Sequence, residues 1–237
     1  MIRISGLRKR FGQLNVLQGV DATFQSGRVT ALVGPNAAGK TTLIKTILGL
    51  TRADAGSIKV NGTVVNGDVT YRRQIGYMPQ IARFPGNLTG AELLSMLEKL
   101  RSDVTTPDRS LIEAFDLEQE LGKQLRNLSG GTKQKLNAVA AFLFSPSVLI
   151  LDEPTAGLDP RASSTLKDRI LADTAMGRTF IVTSHVMAEL EEVADDVIFL
   201  ADGQVRFSGS LEDLKKNTRQ VNLERAIAEL MMRGKAA

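Results

Sequence analysis

The sequence predicts an α/β fold, a strand-rich core interrupted by a helical insert, on three observations. The apolar run at residues 29–33 passes directly into Gly34-Pro35-Asn36-Ala37-Ala38-Gly39-Lys40-Thr41-Thr42. That is a strand, a glycine-bounded loop and a helix beginning at about Thr41. Short apolar strands return at 148–151, 179–183 and 197–200, with a helix over about 161–172 between the first two. Between these halves, over 89–144, the apolar spacing becomes helical, as in Ala91, Leu93, Leu94, Leu97 and Leu100.

The remaining elements follow in order. Ile2-Arg3-Ile4 alternates and 20–24 reads as a second short strand, so the first part of the chain is β-structure. Residues 56–62 end in Asn61-Gly62, a hairpin turn, and Asp202-Gly203 marks another. The character changes after Gln80. Thr89 with Glu92 three residues on forms a capping box for the first insert helix. Leu128-Ser129-Gly130-Gly131-Thr132 precedes a helix expected over 133–144. The tail carries an amphipathic helix with Leu223, Ala226, Ile227, Leu230 and Met231 on one face, and Met231-Met232 reads as part of that packing face. The whole is one domain, 1–237: an α/β core with a β-subdomain from 1–80 and 145–210, a helical subdomain at 81–144, and a helical tail at 211–237. No internal repeat or long linker interrupts it.

Composition narrows the class. A chain of 237 residues with 43% apolar and 24% charged residues is ordinary for a soluble globular protein large enough to bury a core. No apolar run reaches the roughly 18 residues of a membrane span. The start, Met1-Ile2-Arg3-Ile4-Ser5-Gly6, turns polar too early for a secretory signal. The absence of cysteine excludes disulfides and thiolate metal sites. A net charge of +4 suits an anionic ligand or membrane surface but does not indicate nucleic-acid binding. Arg8-Lys9-Arg10 reads as a solvated edge.

The chemistry begins at residues 34–42, which match the phosphate-loop pattern G-x-x-x-x-G-K-[ST]. Backbone N–H groups curl around a polyphosphate, and the helix N-terminus adds positive potential. Lys40 can reach the terminal phosphates and the Thr41 hydroxyl can ligate Mg²⁺. The chain is therefore expected to bind a nucleoside triphosphate. In open α/β sheets ligands collect beyond the carboxyl ends of strands, and three further strands end in suitable residues. The run 148–151 ends in Asp152-Glu153: Asp152 can hold Mg²⁺ directly or through water, and Glu153 can polarise an attacking water. Residues 179–183 lead to Ser184-His185, and 74–79 lead to Gln80. A lone His or Gln at such a place would be weak evidence; their joint placement is not. Ser129-Gly130-Gly131 reads either as an N-cap with a tight turn or as a second anion site. In the second case its place in the insert makes sense if it serves the nucleotide of another copy.

With these motifs in order along nearly its whole length, the chain resembles the ATP-binding cassette ATPase of ABC transporters. The resemblance implies a P-loop NTPase (RecA-like) core with an antiparallel β-subdomain and a helical insert. It identifies Phe11 with the aromatic residue that stacks on adenine, residues 34–42 with Walker A, and Gln80 with the Q-loop. Residues 128–132 correspond to the signature motif, 149–153 to Walker B, Ala156-Gly157-Leu158-Asp159 to the D-loop and His185 to the H-loop. Nucleotide contacts are implied for Phe11, Val16, Asn36, Ala37, Ala38, Gly39, Lys40, Thr41, Thr42, Ser129, Gly130, Gly131 and Asp159. Thr41, Gln80 and Asp152 would hold Mg²⁺, and Glu153, His185, Gln80 and Lys40 would serve hydrolysis. Two cassettes would pack head to tail, each signature motif closing on the other's γ-phosphate, as a homodimer bound to separate transmembrane subunits at the cytoplasmic face of the cell membrane. Ala37 stands where the family usually has Gly, so a requirement for φ > 0 there would cost about 1 kcal/mol. Thr132 replaces the usual Gln.

Residues 81–89 are the expected docking surface for a transmembrane partner. Cargo is carried only by a finer resemblance: residues 71–85 look like the copper-processing ATPase that supports maturation of nitrous oxide reductase. The alternatives are an ABC-2 type exporter ATPase for drug, lipid or polysaccharide, and a soluble cassette acting on nucleic acid or the ribosome. The latter usually carries two cassettes or a long coiled-coil insert, and neither is present here.

Overall fold

The computed structural model describes residues 1–65 and 67–235; the last two residues of the expected tail lie outside them. Its scaffold is a six-stranded sheet in the order β10-β9-β3-β8-β7-β6. The members are β3 (Val29–Val33), β6 (Ile75–Met78), β7 (Val148–Asp152), β8 (Thr179–Thr183), β9 (Asp196–Ala201) and β10 (Gln204–Ser210). Five of them run parallel and β10 returns antiparallel to β9. Both faces of β3, β7, β8 and β9 are covered, which is why these strands read as largely apolar runs, while β10 at the edge is polar and only partly buried. Ala31, Leu149, Phe180 and Phe199 point into the core shared with the insert and the tail. Leu32, Ile150, Ile181 and Ile198, one residue out of phase, point into the core beneath the second sheet.

That second sheet has the order β2-β1-β4-β5, all antiparallel, from β1 (Ile2–Phe11), β2 (Leu14–Phe24), β4 (Ala55–Val60) and β5 (Thr63–Val64). The turn between β4 and β5 has Asn61 at φ 45° and Gly62 at φ 85°, the left-handed pair that an Asn-Gly hairpin turn needs. Helix α1 (Lys40–Ile47) packs Leu43, Ile44 and Ile47 between the two sheets.

The insert holds α2 (Gly90–Leu100), α3 (Ser110–Ala114) and α4 (Gly130–Phe142). The Thr89–Glu92 capping box forms as expected. Helix α4 begins three residues earlier than the sequence led us to expect. Ser129 is its N-cap, accepting from the Thr132 N–H at 3.0 Å, so Gly130 and Gly131 lie in the first turn rather than before it. A Cβ on Gly131 would lie 2.9 Å from the Gly157 carbonyl. The glycine is there for close packing.

The chain closes through α5 (Pro160–Ala175), α6 (Met187–Val193), α7 (Leu211–Thr218) and α8 (Leu223–Lys235). Leu223, Ala226 and Ile227 of α8 are buried, but Met231 is 39% and Met232 62% exposed, so the packing face ends before them. That corrects the expectation for Met231-Met232. Among the described residues no helix is long and apolar enough to cross a membrane.

Candidate nucleotide site

Beyond the carboxyl edge of the parallel strands lies a cleft of about 330 Å³. It is lined by Leu14, Val16, residues 36–42, Gln80, Asp152, Glu153 and His185. The loop that shapes it is held by backbone geometry. Gly34 at φ 155° has no room for a side chain, since a Cβ would sit 2.0 Å from the Leu200 carbonyl. Gly39 at φ 105° precedes α1 without a side-chain cap, so the first N–H groups of the helix stay available to an anion. Ala37 takes φ 63°, the conformation its substitution for glycine makes costly.

Lys40 Nζ donates to the carbonyls of Gly34 at 2.6 Å and Pro35 at 3.1 Å. Burial pushes its pKa down, against the pull of Glu153 and Asp152, which favour the charged form. The ammonium is thus folded back across its own loop, and a phosphate would offer it stronger oxygen partners.

Opposite the loop, Asp152 and Glu153 stand at the end of β7. The Thr183 hydroxyl donates to Asp152 Oδ1 at 2.5 Å, and the Glu153 N–H reaches the Thr183 Oγ1 and carbonyl, both at 3.1 Å. Register pairs Asp152 with Thr183 across the sheet. Glu153 lies in the left-handed region at φ 53° with only 9% of its surface exposed. Its carboxylate accepts from the His185 backbone N–H at 3.1 Å and has His185 Nε2 at 3.4 Å. A carboxylate so placed, with an imidazole beside it and a cation-ready Asp next door, can orient and deprotonate a water facing a phosphate.

The structure brings most of the expected residues together but not all. Val16, Asn36, Ala37, Ala38, Gly39, Lys40, Thr41, Thr42, Gln80, Asp152, Glu153 and His185 line one cleft. Phe11 does not; it is 51% exposed at the end of β1, with the Lys9 ammonium 5.2 Å from its ring. Ser129, Gly130 and Gly131 lie outside the cleft at the head of α4. Asp159 caps α5 through the Ala162 N–H at 2.9 Å and pairs with Lys135 at 2.9 Å, also outside it. Two cleft features were missed in the sequence. Leu14 gives the far wall an exposed apolar residue, and Thr183 organises both carboxylate positions. The adjacency of Thr183 to Ser184-His185 at a strand end was the available signal. A larger hollow of about 510 Å³ is lined by residues including Leu7, Thr46, Ala55, Ile58, Val65 and Tyr71, and none of the expected site residues lines it.

The fold and this cleft define an ATP-binding cassette. A family model described as "ABC transporter" matches residues 17–156. The Nod factor export ATP-binding protein I of Ralstonia nicotianae is 32% identical, over 90% of this chain and 68% of its own. The daunorubicin resistance ATP-binding protein DrrA3 of Streptomyces coeruleorubidus is 35% identical, over 92% of this chain and 70% of its own. A solved structure titled as the ATP binding subunit of an ABC transporter superposes with a TM-score of 0.91 at 32% identity, covering 98% of this chain and 99% of that one. A cassette solved as a dimer with ADP and phosphate shares the fold, with a TM-score of 0.77 at 21% identity. The chain belongs to the ABC transporter family as an ATP-binding cassette, and it is an ATPase.

Proposed function

We propose that this chain is the ATP-hydrolysing subunit of an exporter whose membrane-spanning subunits are separate chains. The observation that carries the catalytic part is the convergence of Lys40, Thr41, Gln80, Asp152, Glu153 and His185, from three strand ends and the start of α1, on one cleft. Lys40 holds the terminal phosphates, Glu153 is the general base, and His185 holds the γ-phosphate and helps place the water. The oxygen donors of Thr41, Gln80 and Asp152 suit Mg²⁺, which takes few protein ligands and completes its shell with phosphate and water. Bound there, the ion would neutralise charge developing on the phosphates. Phe11 and Val16 serve the base end of the nucleotide. The exporter assignment draws on relatives described as Nod factor export and daunorubicin resistance proteins. In this reading the chain sits at the cytoplasmic face of the membrane, with residues 81–89 against the transmembrane subunit. Ile81 there is 69% exposed.

The test separates binding from chemistry. Lys40→Ala loses most ATP affinity, because the γ-phosphate loses its charge partner. Glu153→Gln keeps affinity and loses turnover, because an amide is no base. Wild-type turnover in Glu153→Gln would move the base elsewhere.

The resemblance of residues 71–85 to a copper-processing ATPase supports a second reading, in which the membrane partner serves copper-site assembly. None of the relatives named above is described in terms of copper. The chain itself has no Cys and one His, His185, in the nucleotide cleft, so it would drive that process without binding the metal. Deletion in a denitrifying host should leave nitrous oxide reductase produced but copper-deficient; a fully active reductase rejects this reading.

A further inference from the structure

Helix α4 carries two buried amides that the chemistry above does not use. Asn137 is 2% and Gln134 6% exposed. Asn137 Nδ2 donates to the Pro79 carbonyl at 2.8 Å and to Gln134 Oε1 at 3.3 Å. Gln134 Nε2 donates in turn to the carbonyls of Glu153 and Pro154, both at 3.3 Å. Every amide hydrogen of the pair is spent. The three carbonyls lie just past the ends of β6 and β7; that of Glu153 also accepts from the Ala156 N–H at 3.2 Å, so loss of the amides would deprive those of Pro79 and Pro154 of the side-chain donors they have here.

The chemistry of the three carbonyls matters more than their number. Pro79 is the residue before Gln80, and Glu153 is the general base of the reading above, on which this inference rests. Glu153 holds a left-handed backbone at φ 53°. Its N–H is fixed by Thr183 and its carboxylate by the His185 N–H; its carbonyl accepts from Gln134 Nε2 at 3.3 Å and from the Ala156 N–H at 3.2 Å. One chain of hydrogen bonds therefore joins the two walls of the cleft, through the helix whose first turn carries Gly130 and Gly131. A buried amide network of this kind specifies one arrangement, and loss of one member leaves the others unsatisfied.

We propose that Gln134 and Asn137 are positioning residues for hydrolysis. They tie the segment entering Gln80 to the backbone of Glu153, so that displacement of one wall of the cleft moves the other. Neither lines the cleft, so their loss should act on turnover and not on binding.

Asn137→Leu and Gln134→Met keep approximate size and remove the donors. In the full chain, each should lower kcat by about ten- to a hundredfold, the scale on which a small misplacement of a reacting group acts. ATP affinity should stay within about twofold. The Asn137→Leu, Gln80→Ala double variant should be no slower than the slower single variant, because both interrupt one path. Should Asn137→Leu fail to fold, Asn137→Ala removes the same bonds with less bulk and carries the same expectations. Unchanged kcat in folded single variants overturns the proposal. So does a kcat loss that tracks loss of ATP affinity and thermal midpoint, or losses that multiply in the double variant. Full turnover in Glu153→Gln would instead fail the underlying assignment of the base.

Discussion

At the scale of single residues, backbone conformation carries as much of the site as side-chain chemistry does. Ala37 and Glu153 both sit at positive φ, at 63° and 53°, where an L-residue is disfavoured by roughly 1–2 kcal/mol. Ala37 has no evident return for that cost. Ala37→Gly relieves the strain but adds freedom to the unfolded chain, leaving a net gain of at most about 1 kcal/mol. A chain of this length should then melt about 2–4 °C higher. Calorimetry of the two proteins decides it, and an unchanged or lower midpoint would mean that the loop bears no strain at this position. For Glu153 the same reasoning gives the opposite result: its backbone aims the carboxylate at His185, so Glu153→Gly would remove strain and function together.

At the scale of elements, what the sequence disclosed depended on whether the signal was local. Strands β3 and β8 fell where the apolar runs 29–33 and 179–183 placed them, because both their faces are buried and the only polar residues in them are β-branched threonines. The Thr89–Glu92 cap was legible for the same reason. The start of α4 was not. Two glycines after a serine look like a turn, and only the approach of Gly131 to the Gly157 carbonyl explains them as helix. Most cleft residues were legible because they follow strand ends; Val16, inside β2, came only with the family resemblance, and Leu14 not at all, because only tertiary packing brings β2 over the phosphate loop. The contact between insert and core was equally hidden. Asp108, just before α3, pairs with Arg169 of α5 at 2.5 Å, and Arg169 also reaches the buried Asp173 at 3.0 Å. Burial pushes the Asp108 carboxyl up, but the Ser110 hydroxyl and the Arg169 guanidinium outweigh it, so its pKa lies below the ordinary Asp value. A carboxylate depressed in the folded state adds stability that is full above the unfolded value of about 4 and fades as pH falls through the folded one. Asp108→Asn should therefore lower the melting temperature near pH 7 and flatten its decline in acid. Parallel melting curves against pH for the two proteins would remove Asp108 from that linkage.

At the scale of the whole molecule, the cleft accounts for one set of motifs and leaves another outside it. Ser129, Gly130 and Gly131 head α4 away from the cleft, and the Ser129 hydroxyl is occupied by Thr132, whose own hydroxyl lies 2.7 Å from it. Within one chain these residues cap a helix and pack it closely against Gly157. Between two chains they can close on a nucleotide held by the other copy, and ATP would then touch both subunits. A ligand that contacts both partners stabilises their association in proportion to its own affinity. Hydrolysis dissipates that link, so the dimer should be captured where ATP binds but is not cleaved. Glu153→Gln should therefore be a dimer by light scattering with saturating ATP and Mg²⁺, and a monomer with ADP. Ser129→Glu in the same background sets a carboxylate against the partner's phosphates and should hold the protein monomeric in ATP while leaving ATP binding by each copy intact. If Glu153→Gln stays monomeric with ATP, this chain does not close on itself, and its signature motif faces a different cassette.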